Sequence, residues 1–463
     1  MAYFSEYKKD LCVSIPDTLN SELLKFLLRK DGQEDLLFGL WYPSEGSERN
    51  TALVHSILPP LKGDRKVHGN VSFNYQYFKR ACEQALKNGC GVVFMHSHPF
   101  PGWQSMSPDD IKAEFRMAPT VDTITNLPLL GLTVGSDGAW SGRIWPYYKS
   151  SYQRKWAKSV KVIGNEFSIS LDNKQKHCFI KSEYLKRTVS VWGSTNHEML
   201  TNLTIGVVGL GSVGSIVAET LARIGIRKII LIDFDKVEKH NLDRIIGATK
   251  KDIGKHKVDV ISNAIKKSSP LSKIEVIPVP KNIAEKEAYM KALDCDFIFC
   301  CADKPRARYI LNHIAYSHLI PVVNGGILAD VKDKKLQFAD WELSLIAPNR
   351  PCMQCLEAYK SSDVMLELEG KLEDPEYIKG LSNDFLYKQN QNVMPFSMNL
   401  ASLEVLQFIA YTTGIACFDF YGVQRYRFRQ AILSNYVDKK CNDNCDFSKN
   451  IAFGDSNICP IKH

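Results

Sequence analysis

Apolar positions recur at helical spacing from Ser21 to Lys30, then give way to short continuous runs at Leu36 to Trp41 and Asn50 to Leu58. The first pattern predicts an amphipathic helix and the runs predict strands. Tyr75 to Lys87 predicts a second amphipathic helix, ended by Asn88-Gly89, and Gly91 to Met95 predicts a buried strand. A loop rich in proline, glycine and serine follows, then a helix from about Ser107. Leu129 to Thr133 and Trp140 to Trp145 predict closing strands of a first domain. From Leu203 the order changes to strand (Thr204 to Val208), glycine turn, helix (Ser212 to Ile224) and strand (Lys228 to Ile232). Cys295 to Cys301 and Pro321 to Asn324 repeat the buried-strand character. Strands alternating with helices imply a mostly parallel sheet covered on both faces. Tyr147 to Glu183 is polar and mixed, so the expected organisation is a domain over residues 1–150, a linker over 151–183 and a second domain over 184–463.

Composition narrows the function classes. The chain has 463 residues, 44% hydrophobic and 24% charged, as in ordinary globular proteins. Its net charge of +8 is spread thinly, in short runs such as Lys266-Lys267 and the KDKK of Lys332 to Lys335. No basic stripe is interleaved with aromatics, so nucleic acid is not an expected partner. No apolar run reaches the roughly 18 residues of a membrane span, and the N-terminal MAYFSEYKKD lacks the apolar core of a signal peptide. The 13 cysteines are an odd number. They fit reduced thiols with some metal ligation, and a cytoplasmic enzyme is expected.

The string MHSHPFPGWQSMSPDD, Met95 to Asp110, carries the first candidate chemistry. His96 and His98 sit two apart at a strand end, where alternate residues share a face. Ser107-Pro108 has the form of a helix start, with Ser as N-cap and Pro at the first helical position. Asp109 and Asp110 fall in the first turn, where a carboxylate can join two imidazoles and leave a fourth metal position open. The string resembles the JAMM (MPN-plus) zinc isopeptidase signature, His-x-His-Pro followed by Ser-x-x-Asp, with a spacer one residue longer than the common form. The resemblance implies a cytidine-deaminase-like α+β domain and selects Asp110 over Asp109 as the third zinc ligand. It also implies an upstream Glu as general base, for which Glu34, just before LLFGLW, is the candidate, and a role for Ser107 in stabilising the oxyanion.

The second site begins at Gly209, Gly211 and Gly214, a GxGxxG turn between strand and helix. Such a turn lets backbone approach phosphate at a helix N-terminus. Asp233 ends the next strand, where an acid can bind ribose hydroxyls. Up to this point a nicotinamide dehydrogenase fits equally well. The residues that follow, DFDKVEKHNLDR from Asp233 to Arg244, then Lys257, then Asp303 in CCADKP, resemble the ubiquitin-activating/ThiF adenylyltransferase superfamily. That resemblance spans about Tyr184 to Tyr436 and implies ATP and magnesium. In it Asp233 holds the ribose and Asp235 supports the loop. Asn241, Arg244 and Lys257 bind phosphates, and Asp303 sits at the magnesium and the reacting carboxylate. Tyr184 to Arg187 matches the family's N-terminal helix, from which an arginine reaches ATP across a homodimer, making Arg187 the candidate.

Cys352-x-x-Cys355 and the pair Cys441 and Cys445 supply four thiolates that can close a tetrahedral structural zinc, with Cys459 as an alternative ligand. Between Tyr359 and Leu400, where thioester-forming relatives place a nucleophile, there is no cysteine. Cys417 reads as a core residue. Transfer of an adenylate directly to a partner's thiol is therefore favoured over recruitment of Cys178. The two halves together imply a bacterial ubiquitin-like pathway. One half cleaves at the C-terminus of a ubiquitin-like protein, the other adenylates that carboxylate, and a ubiquitin-conjugating-type enzyme or a sulfur donor is the further partner. Activation of a sulfur carrier for thiocarboxylate formation is the alternative.

Overall fold

The computed structural model describes residues 8–68, 70–172, 183–373, 392–415 and 422–459. They form two compact units. The first takes the described chain up to residue 172 together with Tyr316–Leu319 and Asn450–Ile458, and the second takes the rest. Cys178 and Cys417 lie outside the described residues.

The first unit is built on one nine-stranded mixed sheet between helices, with two short two-stranded hairpins beside it. Its elements are β1 (Asp10–Pro16), α1 (Asp17–Leu27), β2 (Leu36–Glu45), β3 (Arg49–Leu58), α2 (Tyr75–Asn88), β4 (Gly91–Ser97) and α3 (Pro108–Thr125). They continue with β5 (Leu129–Val134), β6 (Trp140–Trp145), β7 (Lys155–Trp156), β8 (Ser159–Ile163) and β9 (Phe167–Leu171). The strand order is β7-β6-β5-β4-β2-β3-β1-β8-β9. β4 is therefore central, and every one of its residues is buried. Its alternate residues enter two cores. Val93 and Met95 pack in the cluster that holds Leu19, Leu23 and Leu27 of α1. Val92 and Phe94 pack in the cluster that holds Tyr77, Ala81 and Ala85 of α2 and Met117, Ala118 and Val121 of α3. This alternation between two cores follows from the pleat.

Helix ends are set locally. Asn74 caps α2 by accepting the Gln76 N–H at 3.1 Å, and Gly89 closes it in the left-handed conformation at φ 62°. Within the stretch read from sequence as a linker, β8 pairs in parallel with β1, and all five of its residues are buried. Ser159 and Lys161 give that strand its polar look, yet Val160 and Val162 join the core. Asn450–Ile458 also group with this unit, where the Phe453 ring sits 5.1 Å from Tyr42 and 4.4 Å from His55.

The second unit opens with α4 (Lys186–Trp192) and α5 (Ser194–Asn202). An alternation of β10 (Thr204–Val208), α6 (Ser212–Arg223), β11 (Lys228–Ile232), α7 (Lys257–Ser268), β12 (Glu275–Val279), α8 (Lys286–Ala292), β13 (Phe297–Cys300), α9 (Pro305–Ser317) and β14 (Val322–Lys332) follows. β15 (Lys335–Ile346), α10 (Ser361–Leu368), α11 (Met394–Thr413), β16 (Val423–Arg427) and β17 (Ile432–Tyr436) complete its main elements. The sheet order is β12-β11-β10-β13-β14-β15-β16-β17. The expected parallel sheet is only part of this. β12 to β14 pair in parallel, but β14-β15, β15-β16 and β16-β17 are antiparallel. The KDKK run turns the β14-β15 hairpin, with Asp333 and Lys334 at φ 50° and 60°. Two consecutive positive φ values suit the right-handed twist of a tight hairpin. Among the described residues no helix is long and apolar enough to cross a membrane.

Candidate functional site

β4 delivers His96 to its C-terminal end and His98 to the loop just beyond. Ser107 caps α3 as the sequence implies. It accepts the Asp110 N–H at 3.1 Å while the Asp110 carboxylate accepts the Ser107 N–H at 2.8 Å. This reciprocal box fixes Asp110 toward the histidines. His96 Nε2 lies 3.2 Å from His98 Nε2, and Asp110 oxygens lie 3.5 Å from His96 Nε2 and 3.4 Å from His98 Nε2. Ligand atoms bound at 2.0–2.1 Å around a tetrahedral zinc stand about 3.3 Å apart. Two nitrogens and one oxygen at this spacing suit such an ion.

Burial pushes the His96 pKa down. Burial also opposes the charge on Asp110, but hydrogen bonds from His96, His98 and Ser107 outweigh it and hold the carboxyl well below its usual range. Glu34 stands at the entrance to β2 and lines the same small pocket as Ser97, His98 and Pro99. Burial raises its pKa, His98 lowers it and Asp110 raises it again, so the three groups feel one another.

A buried ion pair behind the histidines was missed in the sequence. Arg143 pairs with Glu114, both fully buried, and donates to Thr133 Oγ1 at 2.5 Å, which lies 3.3 Å from His96 Nε2. The Trp145 indole N–H donates to Glu114 at 2.6 Å. The available signal was that Glu114 follows Asp110 by one helical turn and so shares its face. Gly131 leaves the room: a Cβ there would stand 2.5 Å from Glu114 Oε2.

In the second unit Gly209, at φ 89°, turns the chain from β10 into α6. A Cβ on Gly214 would overlap the Gly209 carbonyl oxygen, so no larger residue fits the turn. Gly214→Ala is expected to destabilise the protein by about 1–3 kcal/mol through overpacking, read as a lower urea midpoint. Asp233 accepts the Leu210 N–H at 2.5 Å and the Asp235 N–H at 2.7 Å. Burial raises its pKa against the opposing pull of Lys257. Lys257 Nζ in turn lies 2.7 Å from Asp235.

One cavity of about 450 Å³ is lined by Gly209, Gly211, Asp233, Asp235, Asn241, Arg244, Lys257 and Asp303. Gly214 does not line it but packs against the Gly209 carbonyl. Arg187 is exposed on α4 and does not line it. Lys281, Lys304 and Asn392 line it too and were not singled out from sequence, because no motif marks them. Asn392 is tied to the glycine turn: Ser212 Oγ donates to Ser397 Oγ at 2.6 Å, which donates to Asn392 Oδ1 at 3.0 Å. A second cavity of about 330 Å³ shares Asp303 and runs along β14, β15 and Arg425.

Cys352, Cys355, Cys441 and Cys445 come together, with their sulfurs within 4.8 Å of one another. Cys352 and Cys445 sulfurs are 3.6 Å apart, near the roughly 3.8 Å expected for thiolates 2.3 Å from a tetrahedral zinc. This cluster can hold a metal ion. Cys459 is buried away from it, with its thiol pushed up to about 12.

Among known proteins, the ubiquitin-like modifier-activating enzyme 5 of Bombyx mori is 52% identical over 50 residues, 11% of this chain and 13% of that enzyme. Its counterpart in Xenopus laevis is 50% identical over 50 residues, with the same shares. The chain thus spans about an eighth of the length of these curated relatives. A crystal structure of E. coli MccB with ATP is 20% identical, covering 58% of this chain and 76% of that one at a TM-score of 0.44. E. coli MccB with selenomethionine MccA is 21% identical, covering 58% and 75% at a TM-score of 0.46. Residues 185–436, over half of the 463, match the ThiF family, and the chain belongs to that family.

Proposed function

We propose that the second unit adenylates the C-terminal carboxylate of a ubiquitin-like carrier protein, and that the first unit is a zinc-dependent isopeptidase of the JAMM type acting at such a C-terminus. Adenylation rests on one observation above the others: Gly209, Gly211, Asp233, Asp235, Asn241, Arg244, Lys257 and Asp303, all named from sequence, line a single cavity at the glycine turn. The reading agrees with membership of the ThiF family and with relatives named as activators of ubiquitin-like modifiers. In this reading Asp233 holds the ribose, and Asn241, Arg244 and Lys257 hold the phosphates. Magnesium, when bound, offsets phosphate charge beside Asp303. A carrier carboxylate oxygen attacks the α-phosphorus, and pyrophosphate leaves with the electron pair of the broken P–O bond. Fixed cations stabilise the charge that develops. Arg187 would act from a second copy of the chain.

The isopeptidase reading rests on the ligand spacing of His96, His98 and Asp110, with Glu34 beside them. Zinc, when bound, would polarise the scissile carbonyl and acidify a water. In this reading Glu34 would take a proton and return it to the departing amine. Ser107 stands at the same helix start, where its hydroxyl would favour the oxyanion.

Pyrophosphate exchange tests the adenylation. The full chain with ATP, magnesium and a ubiquitin-fold carrier should return labelled pyrophosphate into ATP, and a carrier lacking its last residues should not. Hydride transfer to a nicotinamide without exchange would refute it. Lysine-linked conjugates at the carrier terminus would place the chain in a modification pathway, and a thiocarboxylate would place it in sulfur transfer. With no cysteine between Tyr359 and Leu400, the adenylate would pass directly to a partner's thiol. The four-cysteine cluster is assigned a structural zinc. Cys352→Ser is expected to lower zinc content and to cost roughly 3–4 kcal/mol, or about 10 °C in Tm. Unchanged zinc and Tm would remove that assignment.

A further inference from the structure

Asn392 lines the cavity at the glycine turn just ahead of α11, together with Ser212 and Val213 of α6. The two helix starts are packed together: Val213 and Phe396 lie against the cluster that holds Leu400 of α11. Above the turn there is room, since a Cβ on Gly211 would meet no atom within 4 Å. Gly211 also gives α6 no side-chain cap. Open space at the first N–H groups of a 12-residue helix suits a phosphate.

The Asn392 amide is held in one sense. Ser397, in the first turn of α11 and fully buried, has a single hydroxyl hydrogen. It gives that hydrogen to Asn392 Oδ1 and accepts the one on Ser212. Ser212 stands at a helix start, where the unpaired backbone groups are donors, so its own hydrogen goes to Ser397. The relay ends on the Asn392 oxygen, which is turned inward to a buried hydroxyl. The nitrogen, with two N–H donors, is the end of the amide left for the accessible side. It has no partner among the described residues, and Asn392 is half-buried. Three of the cavity's cations are engaged already: Lys257 by Asp235 at 2.7 Å, Arg244 by Asp243 at 2.8 Å and Lys281 by Glu285 at 3.3 Å.

We propose that Asn392 is a further nucleotide-binding residue: its amide N–H groups donate to phosphate oxygens seated at the glycine turn, and Ser212 and Ser397 are positioning residues that keep its oxygen turned away from them. The inference deepens the adenylation reading and rests on it for the identity of the ligand. A neutral amide adds hydrogen bonds to an anion without adding charge. Turned over, the same amide would set its carbonyl oxygen against phosphate oxygens, and repulsion would replace a bond. Because Ser212 belongs to the turn itself, two hydrogen bonds fix the donor relative to the phosphate seat.

The test uses the full chain with magnesium, ATP and adenosine, with calorimetry for binding and Tm to report that each variant folds. Asn392→Ala should weaken ATP binding about tenfold, as for a hydrogen bond to a charged group, and leave adenosine unchanged. Asn392→Asp should weaken ATP further, because a carboxylate then faces the phosphates. Ser397→Ala should weaken ATP by a smaller factor, and should add nothing once Asn392 is alanine, since a positioning residue acts only through the group it positions. Unchanged ATP affinity in Asn392→Ala, equal losses for ATP and adenosine, or losses at the two positions that simply add would overturn the proposal. Pyrophosphate exchange separates it from the adenylation reading. Carrier-dependent exchange in the wild type with ATP affinity untouched in Asn392→Ala would keep adenylation and remove Asn392. A phosphate-selective loss of binding with no exchange from any carrier would support Asn392 and sink adenylation instead. A wild-type chain that binds ATP no tighter than adenosine would overturn both.

Discussion

Replacing Glu34 with glutamine is expected to leave zinc content unchanged and to slow cleavage of a C-terminally extended ubiquitin-fold protein by about 10²–10⁴-fold, the usual contribution of a positioned general base. The expectation follows from place and environment. Glu34 lines the pocket with His98 but is not among the three converging ligand atoms. Its carboxyl is held above its ordinary range by burial, with His98 opposing and Asp110 adding to the effect. Such a group gains from taking up a proton, as a base must. Glutamine preserves shape and removes that capacity. Zinc content by atomic emission and cleavage on gels separate the two roles. His96→Ala should lose metal and cleavage together. A Glu34→Gln protein with the wild-type rate would move the base elsewhere.

Asp303→Asn should reduce pyrophosphate exchange by about 10²–10³-fold, the scale of losing one electrostatic contact to a developing charge. Asp303 follows β13, is exposed, and lines both cavities of the second unit. Its replacement therefore creates no void in the core, and Tm should hold. The loss should appear in kcat more than in the KM for ATP, because in the proposed reading ribose and phosphates are held by Asp233, Asn241, Arg244 and Lys257, which line the same cavity. Exchange within a few-fold of wild type would remove Asp303 from the reacting end of the site.

Much of this was legible before any fold was known, for physical reasons that differ from residue to residue. The glycine turn is local, because close helix packing forbids a side chain at Gly214. The capping box at Ser107 and Asp110 is equally local, spanning one helical turn. A continuous apolar run marks β4, which lies inside the sheet and is buried on both faces. Other features depend on distant partners. Lys161 in β8 is 1% exposed despite its charge, and its strand was read as a linker for that reason. Arg143 is buried only because Glu114 meets it from α3, 29 residues away in sequence. The antiparallel half of the second sheet was unexpected, since the short run at Pro321 to Asn324 gives no hint of the long hairpin beyond it.

By itself, the sequence determined the alternation of strands and helices after Leu203, the candidate cluster of His96, His98 and Asp110, the residues that line the cavity at the glycine turn and the two cysteine pairs. Short-range sterics and donor chemistry act within a few residues, so motifs carry them. Only the tertiary structure decided that the four cysteines meet and that Asn392 lines the cavity at the glycine turn. Those outcomes depend on strand order and on burial by residues far along the chain, which no local pattern specifies.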